Sequence, residues 1–356
     1  MNSQETREQS LGGPTEKWDA ALGQLISERR EALSGDLKEI DVELKTGRLV
    51  IEQVAESESP SVVVRVTVNA PTEQEAKSLV AKEGKISLRK SNNSLRIEDS
   101  SQGSYTNFSG VTIGGNIRVG GLIISGGEVI INGRRITGNE GVRTTVPERE
   151  VILRIPTSSN IAYNLRNDSG SISMDRGQGR ADLSTISGEI KIGEFTGELR
   201  IESRSGNLKV KHCKGEINGR LTSGDLRVGL LEGAINLSAT SGNISIQDAR
   251  ISGKTNRIMA TSGDVKLGIG NENLKVIVAA TSGNIDLDRD EFKVTKESKP
   301  KGSTSVTVVS FESNSVVTIK GDSSQSMIEG YYGQDTPDAP ELILSVTSGD
   351  VEMYHR

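Results

Sequence analysis

Two histidines, His212 and His355, and one cysteine, Cys213, supply all the imidazole and thiol chemistry in 356 residues. A catalytic thiol needs an exposed, electropositive setting. Cys213 instead falls in the column Gly177, Phe195, Cys213, Leu231, Ala249, spaced by 18. Its mostly apolar members mark an inward position, so Cys213 is expected to be buried and inert. Alternation along a strand sends His212 and Lys214 to the opposite face. A Ser-His-Asp triad is disfavoured, because His212 sits at a strand end and His355 is penultimate; both are expected to be solvated. Asp175 and Asp182 are the pair that could meet across a corner, as a β-helix enzyme acting on carbohydrate requires. Ten aromatic residues in the chain supply no sugar platform, and ordinary polar strand positions account for both aspartates. Glycine repeats of nine suggest a calcium roll, which needs GGxGxDxUx and an aspartate ladder. Here there is one glycine per nine, followed by Ser, Arg, Glu, Asn, Asp or Ala. The six to eight oxygens that calcium wants are not supplied. A flat ice-binding threonine array fails too, because the Thr of the TSG motif is one column and is replaced by Asp168, Ile186 and Arg204 in three coils. The sequence therefore assigns no catalytic, cofactor or metal residue.

One outward column carries charge. Ser173, Lys191, Lys209, Arg227, Ser245 and Lys266 stand three residues after successive Ser-Gly corners. Lys191, Lys209, Arg227 and Lys266 form a candidate interaction stripe for an acidic protein or a glycan. The plainer reading is a solvated face that neutralises Glu189 and Asp225 beside it. Net charge is −5 and the pI about 5.4, which argues against a nucleic-acid binder.

These columns exist because the sequence repeats. Glycine stands at 170, 179, 188, 197, 206, 215, 224, 233 and 242, an unbroken spacing of nine. Ser-Gly marks every second one, so the unit is 18 residues, loosening to 20–21 at Gly263 and Gly283. Two and four residues after each glycine stand apolar side chains, broken only at Gly219. Period two means strand with one buried face. Two strands per 18-residue coil make a parallel β-solenoid of two facing sheets. The corner ladder is then Gly170, Gly188, Gly206, Gly224, Gly242, Gly263 and Gly283, where the chain bends at φ > 0. After these glycines acid and amide alternate from Glu189 onward, which dilutes like charge along the stack.

The fold class read from the sequence is all-β, with a short N-terminal helix and one small inserted helix. Residues 1–34 divide into a disordered tail and an amphipathic helix over 15–33, with Trp18, Leu22, Leu25 and Ile26 on one face. Residues 35–356 form the solenoid, with irregular insertions at about 103–145 and 289–340. The segment 70–84 reads as a helix capped by Thr72 and Glu75. KVTKESKPKGSTS reads as an exposed loop between hairpin strands, and PELILSVTSGDVEMYHR as one last coil. No stretch approaches a membrane span. The start lacks an apolar signal region, so a cytoplasmic location is expected. Open strand edges at the solenoid ends allow self-association.

VELKTGRLVIEQ, VILRIPTSSNIAYNLRNDSGSISM and MIEGYYGQDTPDAPELILSVTSGDVEM, with the TSG repeats, resemble the bacterial putative-adhesin family of β-strand-repeat proteins, similar in style to auto-transporter adhesin heads. The resemblance covers roughly residues 36–356. It implies a non-catalytic adhesin-like module at the cell surface, with no catalytic residues or cofactor to carry over. A β-helix enzyme acting on carbohydrate is the alternative.

Overall fold

The computed structural model describes residues 14–33, 35–83, 86–91, 93–99, 147–157, 159–254, 256–288, 292–298 and 326–356, with four short strands between 117 and 136. It divides into two units. One comprises residues 1–30, 63–87 and 99–150, the other residues 31–62, 88–98 and 151–356.

The larger unit is the solenoid. Its apolar columns face inward: Leu49, Ile172, Ile190, Leu208, Leu226, Ile244, Val265 and Val351 are all buried. Each such side chain contributes roughly 1.5–3 kcal/mol of burial. Ile190–Ser205 pairs parallel with Leu208–Ser223, which pairs with Leu226–Ser241, residue for residue at the repeat distance. Gly197 and Gly215 are themselves register partners. The hydrogen-bonded ladder thus runs through that corner, and the two facing layers are halves of one wrapped sheet. The break at Gly219 is filled from the next coil: a Cβ there would lie 2.6 Å from Leu237 Cδ2.

Stacking order departs from chain order at both ends. Glu39–Val54 lies against Ile161–Ser187, with Gly47 opposite Gly170. At the other end Glu341–Ser348 pairs with Asn256–Ser262 on one side and with Leu274–Ser282 on the other. Val351–His355 likewise pairs with Val265–Ile269 and with Ile285–Leu287. The C-terminal segment is therefore not the last coil, as the chain order suggests. It is an inserted coil between two earlier ones. Its TSGD corner fits there because each coil offers the same backbone register on both edges.

Beyond Leu274–Ser282 the sheet turns antiparallel, first to Ser326–Tyr332 and then to Phe292–Ser298. Residues 292–298 are thus a strand, where the lysine-rich sequence reads as loop; Phe292 is buried against Tyr332, with ring centroids 5.0 Å apart. Lys293, Lys296 and a register shift between Val294 and Lys296 mark this strand, devices that blunt an exposed edge.

In the smaller unit the expected helix over 15–33 is a β-hairpin, Thr15–Asp19 against Gln24–Ala32. The Asp19 carboxylate accepts the N–H groups of Ala21 and Leu22, and Gly23 turns at φ +58. These turn contacts outweigh a helical spacing in which Leu22 ends up exposed. Leu25 packs with Val66, Val68, Ala70 and Ala76. The helix Glu73–Glu83 forms where the capping residues place it, with Thr72 Oγ1 accepting the Glu75 N–H at 3.3 Å. Arg149 and Asp99 form a fully buried ion pair at 3.2 Å. Ile117–Val119, Leu122–Ser125, Glu128–Ile131 and Arg134–Ile136 make an antiparallel meander. Residues 1–13 of the expected tail over 1–14, and residues 299–305 of the expected loop KVTKESKPKGSTS, lie outside the described residues.

Candidate functional site

The corner residues bind the coils to one another. In stacking order the glycines are Gly47, Gly170, Gly188, Gly206, Gly224, Gly242, Gly263, Gly349 and Gly283. At Gly224 φ is +112, and a Cβ would collide with the Gly206 carbonyl oxygen. From Gly206 to Gly349 in that order, the Asx side chain that follows the glycine accepts the N–H of its counterpart one coil on. Asn207 Oδ1 accepts from Asp225 at 3.0 Å, Asp225 from Asn243 at 3.0 Å, and Asn243 from Asp264 at 2.8 Å. Asp264 accepts from Asp350 at 2.9 Å and Asp350 from Asn284 at 2.7 Å. The inserted coil thereby places two carboxylates, Asp264 and Asp350, side by side. The acid–amide alternation of the sequence is broken there.

The cations of the sequence stripe fall in one outward column with register Ser173, Lys191, Lys209, Arg227, Ser245, Lys266, Glu352 and Asp286. Lys191 bonds Glu189 at 2.7 Å, Arg227 meets Asp225 at 3.5 Å, and Lys266 bonds Glu352 at 2.6 Å. Among the described residues Lys209 has no carboxylate at ion-pair distance. Exposed pairs of this kind contribute little stability; their effect is to neutralise the stripe.

Cys213 is fully buried between Phe195 and Leu231, and burial pushes its thiol up to about 12. His212 Nε2 lies 3.1 Å from Glu232 on the outer face. His355 is not freely solvated: it stacks on Tyr332 at 5.6 Å between ring centroids. Asp182 is held by Arg180 at 3.0 Å and by Arg200 at 3.7 Å, so its carboxylate serves the sheet face.

Two grooves open on the sheet that precedes the Ser-Gly corner. The first, about 470 Å³, is lined by Glu39, Asn164, Arg180, Asp182, Ser184 and Arg200, among others. The second, about 280 Å³, is lined by Asp168, Ser184, Ile186, Glu202, Arg204 and Arg220, among others. They share Ser184 and Glu202. Arg166 is held by Asp168 at 3.0 Å and Arg180 by Asp182; these hydrogen bonds raise the pKa of both guanidinium groups. Among the described residues no carboxylate lies at ion-pair distance from Arg204 or Arg220. Their planar donor forks are available for an oxyanion.

The family model described as Toastrack DUF4097 matches residues 37–328. The chain belongs to the Toastrack family. Among solved structures it is similar to a putative adhesin from Bacteroides fragilis, at 10% identity and a TM-score of 0.41, covering 93% of this chain and 97% of that one. It is also similar to a putative cell adhesion protein from Clostridium sporogenes, at 9% identity and a TM-score of 0.25, covering 93% and 100%. A third, a putative lipid binding protein from Parabacteroides distasonis, has 11% identity and a TM-score of 0.27, covering 69% and 89%. No curated protein matches. No described helix of this Toastrack chain is long and apolar enough to cross a membrane.

Sequence reasoning missed the grooves of this Toastrack solenoid, yet a signal was present. The three coils in which Asp168, Ile186 and Arg204 replace the Thr of TSG all line the smaller groove, together with Arg220 and Thr222 of the next coil.

Proposed function

We propose that the chain is a non-catalytic β-solenoid scaffold, an adhesin-like interaction module that presents its outer columns to a protein or glycan partner. The observation that carries this reading is the use made of the polar side chains. The Asx residues at the corner are spent on N–H groups of the next coil. Many outward charges pair across coils, as Arg176 with Glu194 at 3.1 Å and Arg250 with Glu232 at 3.3 Å. Side chains committed to fixed neighbours make a rigid surface, and rigid elements suit recognition. A place at the cell surface agrees with this role. The test is incubation of the purified chain with a panel of polysaccharides, scored for new reducing ends, alongside partner capture and fractionation of the source cells. Reversible binding without new ends is expected. New reducing ends that grow with enzyme concentration would overturn the reading.

A further inference from the structure

We propose that the groove formed by the Gly170, Gly188, Gly206 and Gly224 coils binds an acidic glycan, with Arg204 and Arg220 holding a carboxylate or sulfate and Ile186 supporting a sugar ring. This rests on the scaffold reading above and names its ligand.

The repeat itself singles out these coils. From the Gly224 coil onward the two residues before the Ser-Gly corner are Leu221-Thr222, Ala239-Thr240, Ala260-Thr261, Val346-Thr347 and Ala280-Thr281. In the three coils before it they are Asn167-Asp168, Thr185-Ile186 and Ser203-Arg204. The inward member is thus polar in three consecutive coils and apolar in all five that follow. Asn167, Thr185 and Ser203 are 0%, 6% and 5% exposed, and Asn167 Oδ1, Thr185 Oγ1 and Ser203 Oγ have no hydrogen-bond partner. A buried polar atom without a partner lowers stability. Asn167 Nδ2 donates to the carbonyls of Gly47 and Ser171, but the fold accepts Leu, Ala or Val at this position, so stability is forgone at the Thr185 and Ser203 hydroxyls. Local departures from an otherwise consistent pattern mark functional sites.

The outward members give the ligand its chemistry. Arg204 and Arg220 are the groove guanidiniums without a carboxylate among the described residues. Ile186 is 40% exposed between them and Asp168, an apolar surface in a polar wall. Ser184, Thr222, Asp168 and Glu202 add hydroxyl groups and acceptors along the same groove. A sugar ring presents an apolar C–H face with hydroxyls that both donate and accept, which matches this mixture. An acidic peptide could meet the same guanidinium groups, but it lacks the ring of hydroxyl groups that Asp168, Glu202, Ser184 and Thr222 are placed to bond. Successive coils lie about 4.8 Å apart, close to the length of one pyranose unit, so a linear glycan can follow the stack.

The test is calorimetric titration at low salt with a heparin hexasaccharide, an oligogalacturonate of the same length, a neutral dextran oligosaccharide and poly-glutamate. At least one of the two acidic glycans is expected to bind at least about tenfold more tightly than dextran and poly-glutamate, with affinity falling as salt rises. Which of the two binds tells sulfate from carboxylate. The variant I186T/R204T restores the TSG motif of the later coils, so its melting temperature should hold while affinity drops by about tenfold or more. Arg220→Ala should lose a similar factor, and Arg257→Ala, on the same sheet face outside the groove, should lose none. Equal binding of poly-glutamate, no preference for either acidic glycan over dextran, or unchanged affinity in both groove variants would overturn the proposal. These outcomes leave the scaffold reading standing, whereas cleavage of a probe would overturn that reading instead.

Discussion

Replacing Asp350 by Asn should stabilise the protein relative to replacing Asp225 by Asn. Both residues accept an N–H from the next coil through Oδ1, and Asn keeps that acceptor. Both changes remove one negative charge from a chain of net charge −5. They differ in their neighbours. Asp225 lies between Asn207 and Asn243 and has Arg227 at 3.5 Å. Asp350 lies next to Asp264. Two carboxylates on coils stacked about 4.8 Å apart repel by about 0.8 kcal/mol in a water-like dielectric. Physiological salt screens that to about half. The difference between the two variants should therefore be about 0.4–0.8 kcal/mol in favour of Asp350→Asn, shrinking as salt is added. Urea unfolding at low and at high salt, with equal m-values for the two variants, measures it. Equal stabilities at low salt, or a difference that does not respond to salt, would refute the adjacency of Asp264 and Asp350.

Gly224→Ala should cost about 3 kcal/mol or more, because φ is +112 and the new Cβ meets backbone. Gly219→Ala should cost under about 1.5 kcal/mol, since Leu237 can yield; urea midpoints of the two decide. Native Cys213 should react with a thiol reagent only on unfolding, because its thiol is buried and pushed up to about 12. The folded pKa is raised, so the contribution of Cys213 is intact below the ordinary thiol value of about 8.5. It is lost as pH climbs from there toward 12. Cys213→Ala should flatten the fall in stability between about pH 8.5 and 10 in melts at fixed salt.

Much of the fold was legible because it is written locally. Glycine at φ > 0 and apolar residues two and four positions later set the phase within each coil, and the register pairs of Ile190–Ser205 follow that phase. The order of coils was not legible at the C-terminal end. TSGD at 347–350 is the same corner as TSGD at 261–264, and a local motif does not specify which edge it meets. The partner of Glu341–Ser348 depends on contacts with strands far away in sequence. The N-terminal hairpin was misread because Trp18, Leu22, Leu25 and Ile26 satisfy a helical period. Asp19 and Gly23 carried the turn signal. At the candidate site the four stripe cations stood out by type, and Glu189 and Asp225 stand two residues before Lys191 and Arg227, but sequence does not show that Glu352 of the inserted coil meets Lys266. Arg204 was visible only as a missing threonine, and its meaning needed the groove.

The insertion of the C-terminal coil is most directly tested by paired cysteines in a Cys213→Ala background. Ser348 is a register partner of both Ser262 and Ser282. Neighbouring strands lie about 4.8 Å apart, and a disulfide spans at most about 7 Å between Cα atoms. Mild oxidation should therefore close S262C/S348C and S282C/S348C, and leave S262C/S282C open across the intervening coil. Closure of S262C/S282C with both Ser348 pairs left open would show the coils stacked in chain order and contradict the inserted arrangement.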